Sequence, residues 1–141
     1  MRILNREDLM NILYGAAILG TGGGGSLDEG IAMIDEALQA GKEFKLADFA
    51  EMDPDAVIGT PYACGAISPL TEEEVKKYAR LKETDESFYI LCMKQLEQFL
   101  GKEVSAVIST ELGGGHTATA FYVGAMTGRC IMDGDPAGRS V

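Results

Sequence analysis

Val104-Ser105-Ala106-Val107-Ile108-Ser109-Thr110, then Glu111-Leu112-Gly113-Gly114-Gly115-His116, and then Thr117 to Met132, is the stretch whose reading decides the fold. The run from Val104 to Thr110 is short, apolar and rich in β-branched residues, which predicts a central strand buried on both faces. The triple glycine ends it. His116 to Thr127 then reads as a helix stopped by Gly128, and Cys130 to Met132 as a second strand. Strand, glycine turn, helix and strand in that order make a βαβ unit, so part of the sheet is parallel. The expected class is α/β: a layered sheet, at least partly parallel, with this unit in the C-terminal half.

Working outward, the first strand runs into Glu111 to His116, and the second into Asp133-Gly134-Asp135-Pro136-Ala137-Gly138-Arg139. Ligands of βαβ units bind beyond the carboxyl ends of the strands. Both turns are therefore expected on one sheet edge, bringing Glu111, His116, Asp133 and Asp135 into a single crevice. Gly113, Gly114 and Gly115, with the start of the helix, would supply amide donors there. Carboxylates in such a place serve as general bases or hold a hard metal ion. The plainer alternative is that the glycines only make a tight turn and the aspartates only cap it. His116, the one histidine, is either a proton shuttle or metal ligand, or an ordinary helix cap. Arg139 either anchors a carboxylate or phosphate of a substrate or bridges Asp133 or Asp135.

A third glycine cluster, Gly20-Thr21-Gly22-Gly23-Gly24-Gly25, lies near the other end. It matches the G-x-G-x-x-G pattern, which for a dinucleotide needs a strand before the loop and an acid after the next strand, with Asp48 as the candidate. The segment before it reads instead as a helix. Asn5 and Asp8 form an N-cap pair, and Leu9, Ile12, Leu13, Ala16 and Ala17 recur at helical spacing. The cluster is then an anion cradle for Gly22, Gly23 and Gly24 at the start of the next helix, Leu27 to Ala40, which Gly41 ends. Its apolar face carries Ile31, Ile34, Ala37 and Leu38, and Phe44 to Leu46 is a short strand. Val57 to Ile67 reads as a buried strand opening into a loop. Thr71 with Glu74 caps a helix to about Leu81. Ser87 to Leu100 is an amphipathic helix burying Phe88, Leu91, Cys92, Leu96, Phe99 and Leu100.

The 141 residues are read as one α/β domain. A net charge of −10 argues against nucleic acid or an anionic membrane as partner. Three widely spaced cysteines, no apolar run of membrane length and a charged start point to free thiols in the cytoplasm. Cys64 is a nucleophile only if His116 comes near it, and is otherwise a small buried thiol.

Three motifs in order, Ile18-Leu19-Gly20-Thr21-Gly22-Gly23-Gly24-Gly25, Glu111-Leu112-Gly113-Gly114-Gly115-His116-Thr117 and Asp133-Gly134-Asp135 with Gly138-Arg139, resemble the DUF917 family. This is also called the S-methyl thiohydantoin desulfurase family and is associated with hydantoinases and oxoprolinases. Two positions depart from it: His116 stands where the family commonly has asparagine, and Pro136-Ala137 replaces a Gly-Met-like pair. Members are longer and continue into a β-rich C-terminal domain, so the chain is expected to be an N-terminal portion. The resemblance implies action on a small-molecule cyclic amide or thioamide such as a hydantoin. Its implied partners are the C-terminal domain, a hydantoinase subunit or further copies of the chain. The cofactor is left unassigned, with a divalent metal on Glu111, Asp133 and Asp135 as one option. A non-catalytic ligand-binding or assembly domain, and nucleotide binding through Gly20 to Gly25, are the rival readings.

Overall fold

A computed structural model describes residues 1–64, 68–81 and 84–139. The elements in chain order are β1 (Arg2–Leu4), α1 (Arg6–Gly20), α2 (Leu27–Gln39), β2 (Phe44–Ala47), β3 (Ile58–Gly59), α3 (Glu72–Tyr78), α4 (Phe88–Leu100), β4 (Ala106–Ile108), α5 (Gly114–Thr127) and β5 (Cys130–Met132). They form a five-stranded sheet of order β1-β2-β5-β4-β3. β1 is antiparallel to β2, and the other three pairings are parallel. The expected β4-α5-β5 crossover holds, with Val107 beside Ile131.

α5 is the centre of the molecule. Its sequence is apolar nearly all round, which suits a helix enclosed on every side, and ten of its fourteen residues are buried. Gly124 sets how close it lies to the sheet. A Cβ there would stand 2.6 Å from Ile131 Cγ1 and 3.0 Å from Val107 Cγ2, so a larger residue would lift the helix off both strands. α1 and α2 pack beside it. The Asn5–Asp8 capping box starts α1, and Ser26 Oγ caps α2. Leu9, Leu13, Ile34, Phe44, Val107 and Ile131 form the heart of the core.

Several elements differ from the sequence reading. β1 and a 3-10 turn at Phe49–Glu51 were not expected, being only three residues each. α5 begins at Gly114, two residues before the expected start. The strand foreseen over 57–67 is only Ile58–Gly59. Pro61 cannot donate to a ladder, and Tyr62, Ala63 and Cys64 are exposed. Positions 65–67 lie outside the described residues. α3 ends at Tyr78 and buries none of its side chains.

The largest correction concerns α4. Phe88, Cys92, Leu96, Phe99 and Leu100, expected in the core, are exposed, and Phe99 keeps 87% of its surface. The inward stripe is Met93, the only buried residue of α4, with Tyr89 and Ile90 packed against the core. α4 is apolar on two sides, and periodicity cannot say which turns inward. Polar ties decide its roll. Glu97 Oε1 accepts from the Val104 amide at 2.8 Å and from Arg129 at 2.6 Å, while Arg129 Nε also donates to the Val104 carbonyl. Glu97 is one turn from Met93, so that face is held against the β4 and β5 ends.

Candidate active site at the meeting of three glycine loops

All three loops converge. The carbonyl of Gly24 accepts from the amides of Gly115 at 3.0 Å and His116 at 2.8 Å. Leu112 N–H donates to Gly138 O at 2.7 Å, Ala137 N–H to Thr110 O at 3.1 Å, and Leu112 pairs with Arg139 in a parallel bridge. The backbones touch. A Cβ on Gly114 would lie 2.7 Å from Leu27 Cα, and one on Gly115 2.9 Å from Gly25 Cα. The glycine motifs therefore make room for one another. Two amides at the start of α5 are already taken by Gly24, which leaves fewer of the donors the sequence suggested there. Gly23 N–H is taken by Gly20 O. The amides of Gly22, Gly24 and Gly25 have no protein acceptor among the described residues.

At this junction His116 Nδ1 lies 2.7 Å from Glu111 Oε1. His116 Nε2 faces the Ala63 carbonyl at 3.2 Å. Both side chains are largely but not fully enclosed, 19% and 26% exposed. Tyr62 approaches the imidazole edge-on, with ring centroids 6.3 Å apart. Gly25 abuts the other side of the ring, where a Cβ would come within 3.6 Å of His116 Cδ2. The carboxylate fixes the ring through one nitrogen and directs the second at the 60–64 segment, the layout of an oriented acid/base imidazole.

The aspartates sit apart from this pair. Asp133, exposed, and Asp135, half-buried, line a cleft of about 140 Å³ with Ser109, Leu112, Thr117 and Phe121, and neither Glu111 nor His116 lines it. Asp135 Oδ1 accepts the Gly138 amide and so caps its own turn. Ser109 and Thr117, both 3% exposed, are spent on backbone groups, with Ser109 Oγ donating to Glu111 O and Thr117 Oγ1 accepting from Gly113 N–H. The single crevice holding all four acid/base candidates therefore splits into two neighbouring ones.

Arg139 does not bridge Asp133 or Asp135. Its Nε donates to the Leu19 carbonyl at 2.9 Å, at the end of α1, where a cation also complements the helix dipole. A metal held by Glu111, Asp133 and Asp135 together does not fit their geometry. Among the described residues no three His, Cys, Asp or Glu side chains assemble as ligands, because Glu111 is turned to His116 and Asp135 to its own loop. The dinucleotide pattern follows helix α1 rather than a strand, and Asp48 caps the 3-10 turn through Ala50 N–H. That reading loses its structural premise. Cys64 is exposed and forms no hydrogen bond with His116; the carbonyl of its neighbour Ala63 does.

Sequence reasoning missed Thr60, Tyr62 and Ala63. Thr60 Oγ1 lies 2.6 Å from Thr110 Oγ1, and Tyr62 and Ala63 meet His116. The one available signal was a parallel pairing of β3 with β4, which would carry residues after Gly59 to the same edge as those after Ile108.

No described helix is long and apolar enough to cross a membrane. No curated relative matches the chain. It is similar to the crystal structure of a protein from Chromobacterium violaceum, with 21% identity and a TM-score of 0.60. The likeness covers 100% of this chain and 36% of that one, so the chain spans about a third of its neighbour, and at this identity it establishes shared fold alone. Residues 7–141 match the family described as S-Me-THD-like, N-terminal domain, and with nearly the whole sequence matched, the chain belongs to that family.

Proposed function

We propose that the chain is the N-terminal domain of an enzyme acting on hydantoin- or thiohydantoin-like rings, with Glu111 and His116 as its acid/base pair. The observation that carries this reading is the 2.7 Å contact between His116 Nδ1 and Glu111 Oε1 at the carboxyl edge of β4. Opening or desulfurising a cyclic thioamide requires attack on a ring carbon, proton removal from the attacking water and proton delivery to the leaving group. His116 Nε2 is the atom that moves those protons. Glu111 holds the ring in place and stabilises it when it becomes an imidazolium. The substrate displaces Nε2 from the Ala63 carbonyl. The amides of Gly24 and Gly25, with Gly22 beyond them, then serve the charge developing on ring oxygen or sulfur. Asp133 at the adjoining cleft is a ligand-facing carboxylate, and Asp135 shapes the turn that carries it.

The test is turnover of hydantoin and S-methyl thiohydantoin by the full-length protein, with Glu111→Gln and His116→Ala beside the wild type. Each variant should lose roughly 10²- to 10⁴-fold in kcat while its far-UV circular dichroism is unchanged. Wild-type rates in both would remove the pair from the mechanism. One observation favours a second reading, a non-catalytic ligand-binding or assembly domain: the Gly115 and His116 amides are satisfied by Gly24 rather than left for a ligand. Saturable hydantoin binding by calorimetry, with no turnover by the wild type, would decide for it.

A further inference from the structure

Beside the Glu111–His116 pair, between the end of β3 and α4, lies an open groove of about 170 Å³. Its walls include Pro61, Tyr62, Phe88, Tyr89, Met93 and Leu96, and among the described residues no charged side chain lines it. Phe88 and Tyr89 stack at one side with ring centroids 3.9 Å apart. Two residues link the groove to the surroundings of the acid/base pair. Tyr62 both lines it and meets the His116 ring, and Thr60 both lines it and hydrogen-bonds Thr110.

We propose that this groove is the binding subsite for a phenyl-sized apolar substituent carried by the ring ligand. Its size suits that group, since dry apolar cavities of about 150 Å³ take up benzene. Its chemistry does too: aromatic and thioether walls favour an aromatic guest. The placement of the ring rests on the proposed function; the apolar character of the subsite does not. Burying a phenyl group here tightens binding about tenfold to a hundredfold over the bare ring.

Cys92 lines the groove and is exposed, which makes its thiol a reporter. The experiment follows its alkylation by iodoacetamide, peptide by peptide in the mass spectrometer, with Cys130 as the internal reference. Three probes are compared: hydantoin, 5-benzylhydantoin and N-acetylbenzylamine, which has the phenyl group but no ring. 5-Benzylhydantoin should slow Cys92 alkylation, hydantoin should leave it at the probe-free rate, and calorimetry should show 5-benzylhydantoin binding about tenfold to a hundredfold more tightly than hydantoin. Leu96→Trp, which fills the groove from an exposed position, should abolish that advantage. Protection by N-acetylbenzylamine equal to that by 5-benzylhydantoin upholds the subsite and sinks the ring reading. Equal affinities of hydantoin and 5-benzylhydantoin, with Cys92 alkylated at the probe-free rate throughout, overturn the subsite. Protection that needs no probe and rises with protein concentration also overturns it, in favour of a second copy covering the groove.

Discussion

On the α1–α2–α5 side, backbone lies on backbone. A Cβ on Gly30 would stand 2.5 Å from the Gly114 carbonyl, and one on Gly114 2.7 Å from Leu27 Cα. At the β3–α4 edge, large side chains face outward and leave a groove; Phe88, Leu96 and Phe99 keep 55%, 43% and 87% of their surface. The contrast shows what each residue type contributes. Small residues let three distant loops close into a rigid floor, and that floor positions His116. Bulky apolar residues at the opposite wall stay uncovered, where a ligand has something to displace. Rigidity and openness are neighbours here, with the imidazole between them.

The sharpest way to break this contrast is to put a side chain into the closed half. Gly114→Val would drive a branched Cβ into the Leu27 backbone, where no flexible side chain can give way. Overpacking of this kind costs about 3 kcal/mol or more, and the urea midpoint should fall accordingly. A midpoint unchanged from wild type would mean that the loops are not in contact. A second comparison spans the two sides of one helix. Met93 is 7% exposed, so Met93→Ala should cost about 2–3 kcal/mol. Phe99→Ser, at a position 87% exposed, should shift stability by less than about 0.5 kcal/mol. Similar losses from both substitutions would show that something covers the outer face of α4 in solution.

Much of the closed half could be read from the amino acids alone, because local chemistry agrees with tertiary demand there. Asn5 with Asp8 is a capping box at its expected place, and Gly41 and Gly128 end helices in the left-handed region. The β4-α5-β5 crossover followed from β-branched residues, a glycine turn and an apolar helix. Glu111 and His116, five positions apart across that turn, were both foreseen, and they do meet. What was hidden depended on long-range partners. The roll of α4 hangs on Arg129, 32 positions from Glu97, and no periodicity encodes that tie. Arg139 reaches Leu19 across 120 positions to a carbonyl, a group every residue carries. The aspartates fell into a neighbouring cleft because Asp135 found its acceptor role within its own turn.

The smallest effect concerns the seam between α2 and α5. Tyr122, 4% exposed, donates its hydroxyl to Glu36 Oε1 at 2.9 Å. Tyr122→Phe keeps the ring and removes that bond, a loss of about 1 kcal/mol, since the exposed Glu36 regains water. Burial, and then the adjacent Glu36 carboxylate, raise the Tyr122 phenol above its ordinary value of 10.0. A raised acid favours the folded state while it stays protonated. Its contribution is therefore whole below pH 10 and is lost as pH climbs from there through the higher folded value. The stability gap between wild type and Tyr122→Phe should stay constant from pH 7 to about pH 10 and narrow above it. The other tyrosines are common to both proteins and cancel in the difference. Urea midpoints taken up to pH 11 measure the gap, and one that stays constant above pH 10 would mean the phenol is not held in the closed half at all.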